Sequence, residues 1–359
     1  MLLWLLLLTT PLSLPLGRPS LDWHVHEMLF GYAVAAVAGF LLTAVPNWTG
    51  RLPVNGAPLA ALALLWLIGR LAMLTGGWLG APLTAAADLA FLVALLAVVG
   101  REVVAGRNWR NLPVLAALAG LAAANVWFHA ASVWGFAGAD SASRLGIAVV
   151  TMLIVLIGGR VTPSFTRNWL AKRAPGRLPA PFGAIDRLAL VATLLALAAW
   201  VVWPMAQATA AALALAALLL LARLVRWQGH RTLAEPLVSI LHLGYLWLPL
   251  GLGLLAAAIR WPEAGTGAAV HGLTAGAVGT MTLAVMTRAS LGHSGRPLTA
   301  GSGTRLIFLL ITVAAATRAL AWLWTAGYDW LMPLSGLAWI LAFGLFTALY
   351  APIMLRRRH

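Results

Sequence analysis

Apolar residues run almost unbroken along this chain. Polar and basic residues punctuate them into stretches at about 2–16, 23–45, 57–76, 82–100, 112–135, 145–159, 185–203, 206–222, 236–259, 266–287, 306–326 and 330–354. A helix that crosses a bilayer needs about 20 apolar residues, with roughly 17 to 25 tolerated. The pattern therefore predicts an all-α, polytopic membrane helix bundle of about twelve transmembrane helices. The first run is short and holds Pro11 and Pro15, and the sixth and eighth are also short.

The basic residues supply a second pattern. Arg51, Arg101, Arg107, Arg110, Arg160, Arg167, Lys172, Arg173, Arg177, Arg187, Arg223, Arg226, Arg231, Arg288, Arg296, Arg305 and Arg356–Arg358 all follow even-numbered runs. Only Arg18, Arg144 and Arg260 follow odd-numbered ones, while Arg70 and Arg318 lie inside runs. Short cytoplasmic loops carry the excess of Lys and Arg, so this alternation supports the twelve-helix count and puts both termini in the cytoplasm. The longest connection, about 159–186, is basic and Pro-rich. It divides a single membrane domain, 1–359, into six helices and six, with no sequence repeat between the halves. Trp78, Trp134, Trp261, Trp324 and Trp330 sit near outer ends and read as an interfacial aromatic belt.

Composition agrees with the pattern. Of 359 residues 62% are hydrophobic and 9% charged, against about 25% charged in a soluble domain. The formal charge of +15 could suggest nucleic acid, but the positions of the charges explain it as topology. The chain has no cysteine, which excludes disulfides, Cys-ligated iron–sulfur clusters, a C-x-x-C-H haem attachment and a thiolate copper centre. Any metal must be held by His, Met, carboxylate or backbone.

Against this background ionisable residues inside the runs stand out, because a charge at mid-helix costs about 2.5–3.5 kcal/mol on insertion scales. Leu21-Asp22-Trp23-His24-Val25-His26-Glu27 opens the second run. At about 100° per residue His24 and His26 point to opposite sides of a regular helix and cannot both ligate one metal. By depth, His24, His26, His129 and His271 form an outer group on three helices, the kind of constellation a bundle-core cofactor needs. Imidazole suits copper and iron and is the commonest haem axial ligand. Any one of these histidines is as readily a hydrogen-bonded core residue. Asn125 and His129 are four apart and share a face. His242 and Tyr245 share another, below Pro249. Gly272 and Gly276 form a G-x-x-x-G beside His271, which reads as close helix packing or as a smooth face for a flat macrocycle. Arg318 is at the depth of an anionic group such as a haem propionate, with Glu263 or Asp329 as structural alternatives. Glu27, Tyr245 and Asp88 are the embedded groups that could relay protons.

Several segments together resemble the NnrS family of bacterial membrane proteins. They are Trp23-His24-Val25-His26-Glu27-Met28-Leu29-Phe30-Gly31, the stretch 41–51, Thr162-Pro163-Ser164-Phe165-Thr166-Arg167-Asn168-Trp169-Leu170, Glu235-Pro236 with His242 to Pro249, and His271 to Arg288 continuing to His293 and Pro297. The resemblance spans about residues 20 to 355. It implies a multi-pass protein of the bacterial inner membrane containing haem b and copper, linked to nitric oxide, denitrification and protection from nitrosative stress. It carries over His24, His26, His242, His271 and His293 as metal ligands, whereas His129 rests on depth alone.

The reading is a haem and copper membrane protein that binds nitric oxide and, as an oxidoreductase, could reduce it. His24 or His26 would pair with His271 around haem, and His129 or the remaining His would hold the second metal, with His242 a separate centre or packing. Arg318 serves as a cofactor contact, and Glu27 and Tyr245 as catalytic groups. Its partners are nitric oxide, membrane lipid and a membrane or periplasmic electron donor, with no nucleic acid. Two rivals use the same residues. One is a secondary transporter built on Glu27, Asp88, Arg70 and Arg318, and the other is a haem-binding nitric oxide sensor or repair partner without turnover.

Overall fold

The computed structural model of the protein describes residues 1–135, 138–173 and 176–355. Among these residues there is no strand, and eleven helices are long and apolar enough to cross a membrane. A short helix, α1 (Leu2–Thr9), comes first. The spans follow as α2 (Ser20–Thr49), α3 (Ala57–Leu74), α4 (Ala81–Ala105), α5 (Trp109–Trp134), α6 (Ala139–Leu170), α7 (Ala184–Val202), α8 (Gln207–Val225), α9 (Pro236–Arg260), α10 (Gly267–His293), α11 (Ser302–Leu323) and α12 (Thr325–Leu355). This is a multi-pass membrane protein.

The count is eleven because the first apolar run forms only eight residues of helix, about 12 Å at 1.5 Å per residue. Pro11 and Pro15 remove backbone donors and restrict the residues before them. Every other apolar run becomes a span. Several spans extend past their apolar run: α6 continues through Arg160 and Arg167, α8 through Arg223, and α10 through Arg288 to His293. The Pro-rich connection accordingly shrinks to 171–183, of which Ala174 and Pro175 lie outside the described residues, as do Arg356 to His359 at the C-terminus.

Local chemistry sets the helix ends. Proline sits in the first turn of α3, of the main helix of α5, of α4 and of α9, where a missing N–H costs nothing. Glu235 caps α9 by accepting from the Leu237 amide. Large apolar side chains such as Leu64, Leu67, Leu194, Leu195, Leu218 and Leu309 point outward, as they must where the solvent is hydrocarbon. Trp78, Trp134, Trp261, Trp324 and Trp330 are all exposed.

The chain forms two compact units, Leu6–Val150 and Thr151–His359 with Met1–Leu5, and the boundary falls inside α6. Three π-helical segments interrupt the spans: Glu27–Ala33 in α2, Ile154–Gly158 in α6 and Gly272–Gly279 in α10. Such segments gather at functional sites. Two of them begin at the residue after a histidine, His26 and His271.

Candidate metal centre

The first unit builds a polar cluster around the start of the π segment in α2. The chain is α-helical through His26 and π-helical from Glu27. The segment turns the Gly31 carbonyl toward α3, where it accepts the Trp66 indole N–H at 3.0 Å. A Cβ at Gly31 would stand 2.7 Å from Arg70 Nη1. Glycine therefore lets the Arg70 side chain lie across this turn, where it donates through Nη1 to Glu27 and through Nη2 to Asp88.

His26 is fully buried. Its Nε2 lies 3.1 Å from Asp88 Oδ2 and 3.1 Å from Asn125 Oδ1. His129 Nε2 is 3.0 Å from the same Asp88 oxygen, and Asn125 Nδ2 donates to it at 2.8 Å. On the other side of the His26 ring, Nδ1 faces Glu27 Oε1 at 3.3 Å. Phe30 and Phe128 wall the ring at 5.2 Å between centroids, and His129 stands edge-on at 5.1 Å. α2 thus supplies His26 and Glu27, α3 Arg70, α4 Asp88, and α5 Asn125 and His129.

Hydrogen-bond geometry locates the protons. Because Asn125 donates to Asp88 through Nδ2, its Oδ1 can only accept from His26. Both ring nitrogens of His26 then face accepting oxygens, so both carry protons in this arrangement. Imidazolium and guanidinium balance the Glu27 and Asp88 carboxylates. Neutrality matters, since an uncompensated buried charge costs several kcal/mol. Arg18, just outside α2, adds positive potential over the Phe128 ring at 5.4 Å, and burial lowers its pKa against the pull of Asp88, Asp22 and Glu27.

The same residues suit a metal. His26, Asp88 and His129, all buried, each offer a ligand atom within 4.8 Å of the others. Two imidazoles and a carboxylate match copper(II) or non-haem iron. Glu27 behind His26 is the carboxylate that typically orients a ligating imidazole from its far nitrogen. His129 Nδ1, on the far side of the ring from Asp88, is buried without a hydrogen-bond partner, a deficit worth about 1–3 kcal/mol that a water would relieve. Holding a metal requires His26 Nε2 to release its proton, so loading exchanges a proton for a cation.

The remaining expected ligands stand elsewhere. His24 is buried on α2 but does not join the His26–Asp88–His129 group, and His293 is exposed at the end of α10. In the second unit, His242 Nε2 lies 2.7 Å from the Thr166 hydroxyl, which itself donates to the Thr162 carbonyl. Tyr245 accepts from Arg223 Nη1 at 2.9 Å. That guanidinium also reaches Asp186, the Val155 carbonyl and the Gly159 carbonyl. A Cβ at Gly159 would sit 2.5 Å from Arg223 Nη2, so glycine admits this approach. Arg223 was expected in a basic loop; it is instead buried inside α8. The face of Gly272 and Gly276 is filled by Gly251 and the Trp247 indole, which is close packing and leaves no slot for a macrocycle there.

His271 donates through Nδ1 to the Gly267 carbonyl at 2.8 Å. Its Nε2 therefore carries the lone pair, and Arg318 Nη2 donates to it at 2.9 Å. Arg318 Nη1 meets the Met332 thioether. Glu263 and Asp329 form no ion pair with Arg318 among the described residues. Sequence reasoning missed Met332, Asp186 and the bridging role of Arg70.

A multi-pass helical membrane protein with a buried histidine–carboxylate centre is the class this architecture defines. The chain belongs to the NnrS family: the family model described as NnrS protein matches residues 1–358. No curated protein and no solved structure matches it.

Proposed function

We propose that this protein binds copper through His26, Asp88 and His129 and handles nitric oxide in the membrane, with haem b as a second cofactor. The observation that carries the copper assignment is the convergence of two Nε2 atoms on one Asp88 oxygen, at 3.1 and 3.0 Å, inside a buried, cysteine-free bundle. Family membership supports the link to nitric oxide. Copper bound here would supply an open coordination position and a one-electron couple.

The chain's own residues do the rest. Glu27 orients His26 through Nδ1, and Asn125 fixes the Asp88 carboxylate by donating to Oδ2. Arg70 donates to both carboxylates and offsets their charge. Glu27 is more exposed than His26 or Asp88 (side chains 18%, 0% and 1%), so Glu27 is the carboxylate through which the cluster would exchange protons. Phe30 and Phe128 exclude water while an apolar diatomic molecule can arrive through lipid. If haem b binds, His271 would hold it through the Nε2 lone pair that Arg318 now occupies, since its Nδ1–H is pinned to the Gly267 carbonyl. Reduction of nitric oxide, in denitrification or in protection from nitrosative stress, would draw electrons from a donor in or beside the bacterial inner membrane. Keeping the basic connections cytoplasmic places the end of α12 on that side and the start of α2 on the other.

Detergent-purified full-length protein tests this reading by metal analysis and by optical spectra, oxidised and reduced, before and after anaerobic nitric oxide. Bound copper that disappears in His129→Ala, with bands that shift on nitric oxide, is the expected result. Folded protein that takes up neither copper nor haem when grown with both overturns it.

A further inference from the structure

Arg318 is a cation within a membrane span whose two contacts are both uncharged. Its Nη2 donates to the lone pair of His271, and its Nη1 to the sulfur of Met332. No carboxylate pairs with it among the described residues. Arg70 and Arg223, also inside spans, each have carboxylate partners. An ionisable group inside a span is costly and is normally paired, so the missing counter-charge at Arg318 needs a physical account.

The surroundings point to a ligand. His271 offers Arg318 only a lone pair, because its proton is committed to the Gly267 carbonyl. A thioether is a weak acceptor, and an oxygen anion would displace it readily. Arg318 and His271 are half-buried rather than sealed. The site lies five residues from the end of α11, four from the start of α10 and seven from the start of α12. At about 1.5 Å per residue that is roughly 6–11 Å inside one end of all three helices. Trp322 stacks parallel to His271, 15° between planes and 6.2 Å between centroids, and braces the imidazole.

We propose that Arg318 binds a planar, two-oxygen monoanion, a carboxylate or nitrite, which replaces Met332 and His271 as the acceptor of its paired N–H groups. A guanidinium presents two parallel donors that match such an anion in bidentate geometry, with energy and orientation that an ammonium does not reproduce. The anion could arrive free from solution or as the carboxylate of a bound prosthetic group. The inference stands independently of the metal at His26, Asp88 and His129.

Calorimetric titration of the full-length protein with sodium nitrite and with sodium formate, against chloride at equal ionic strength, tests the free source. The expected result is saturable binding of nitrite and formate, weakened at least tenfold in Arg318→Gln and by an intermediate factor in Arg318→Lys, which keeps the charge and loses the fork. A parallel titration with haem and with its dimethyl ester tests the tethered source. If free anions do not bind, at least tenfold tighter binding of haem than of the ester, abolished in Arg318→Lys, supports the carboxylate of a bound group. Should Arg318→Gln fail to fold, the lysine variant decides both arms. Nitrite, formate and haem affinities that are all indifferent to Arg318→Lys overturn the proposal.

Discussion

His129 presents Nε2 to Asp88 Oδ2 at 3.0 Å, while the opposite nitrogen of the same ring is buried without a hydrogen-bond partner. The contact fixes the ring against α4 and aims Nε2 at the oxygen that His26 Nε2 also meets. His129→Ala removes one donor and only one hydrogen bond to the cluster, so the fold should survive and bound copper should fall to background. Asp88→Asn goes further: it removes the carboxylate that Arg70, His26 and Asn125 all share. It should lose the metal and also lower the thermal midpoint. Metal content by mass spectrometry, paired with thermal unfolding in detergent, separates the two effects. Copper retained at the wild-type ratio in both variants would remove this cluster from consideration as the metal centre.

Arg70 bridges Glu27 and Asp88, so its removal leaves two carboxylates facing a single imidazolium. Breaking a buried pair by deleting one partner costs about 3–5 kcal/mol. Arg70→Met should approach that range, whereas Arg70→Met combined with Glu27→Gln should recover part of it because one orphaned charge has gone. Unfolding measured for both singles and the double closes a double-mutant cycle. Strictly additive losses would mean that Arg70 and Glu27 are not coupled.

Much of this architecture was legible in the apolar pattern, because a helix in hydrocarbon needs a continuous apolar run and little else. Eleven of the twelve runs became spans. The exception, 2–16, contains Pro11 and Pro15, whose local effect dominates its hydropathy. The site was legible only where it is local. Asn125 and His129 share a face by helical spacing alone, and Glu27 adjoins His26 in sequence. The encounter of His26 with Asp88, 62 residues away, depends on how α2, α4 and α5 pack, which no sequence period encodes. Arg223 shows the same limit from the other side. A basic residue just past an apolar run reads as a loop charge, yet the second unit buries it against Asp186 and two main-chain carbonyls. The π segment after His26 is also invisible to a period of 3.6, and it is what turns the Gly31 carbonyl toward Trp66.

Two glycines of α2 offer a controlled comparison. At Gly39 a Cβ would meet nothing within 4 Å, whereas at Gly31 it would press on the Arg70 guanidinium at 2.7 Å. Gly39→Ala should be neutral or stabilise by up to about 1 kcal/mol through helix propensity. Gly31→Ala should destabilise by about 1–3 kcal/mol, the usual scale of overpacking, and should weaken metal binding by shifting Arg70 away from Asp88. Thermal unfolding and copper content of the two variants provide the readout. Equal behaviour would mean that the Arg70 path across α2 is not constrained.

Arg223 and Tyr245 decide whether the phenol is a proton group or a structural acceptor. The guanidinium holds the Val155 and Gly159 carbonyls at 3.0 and 3.3 Å, which flank most of the π segment in α6, and donates to the Tyr245 hydroxyl at 2.9 Å. A lysine ammonium has three donors on a flexible stem and cannot reach these groups and Asp186 together. Arg223→Lys should therefore destabilise by a few kcal/mol, with faster amide exchange at Ile154–Gly158. Tyr245→Phe removes a single acceptor and leaves one buried N–H unpaired, which costs about 1–3 kcal/mol. Arg223 and Tyr245 share no hydrogen bond with His26, Asp88 or His129 among the described residues, so copper content should be unchanged in either variant. The spectral response of Tyr245→Phe to nitric oxide should likewise match the wild type. If that response is lost while unfolding stays at the wild-type midpoint, the hydroxyl serves the chemistry directly rather than as a structural acceptor.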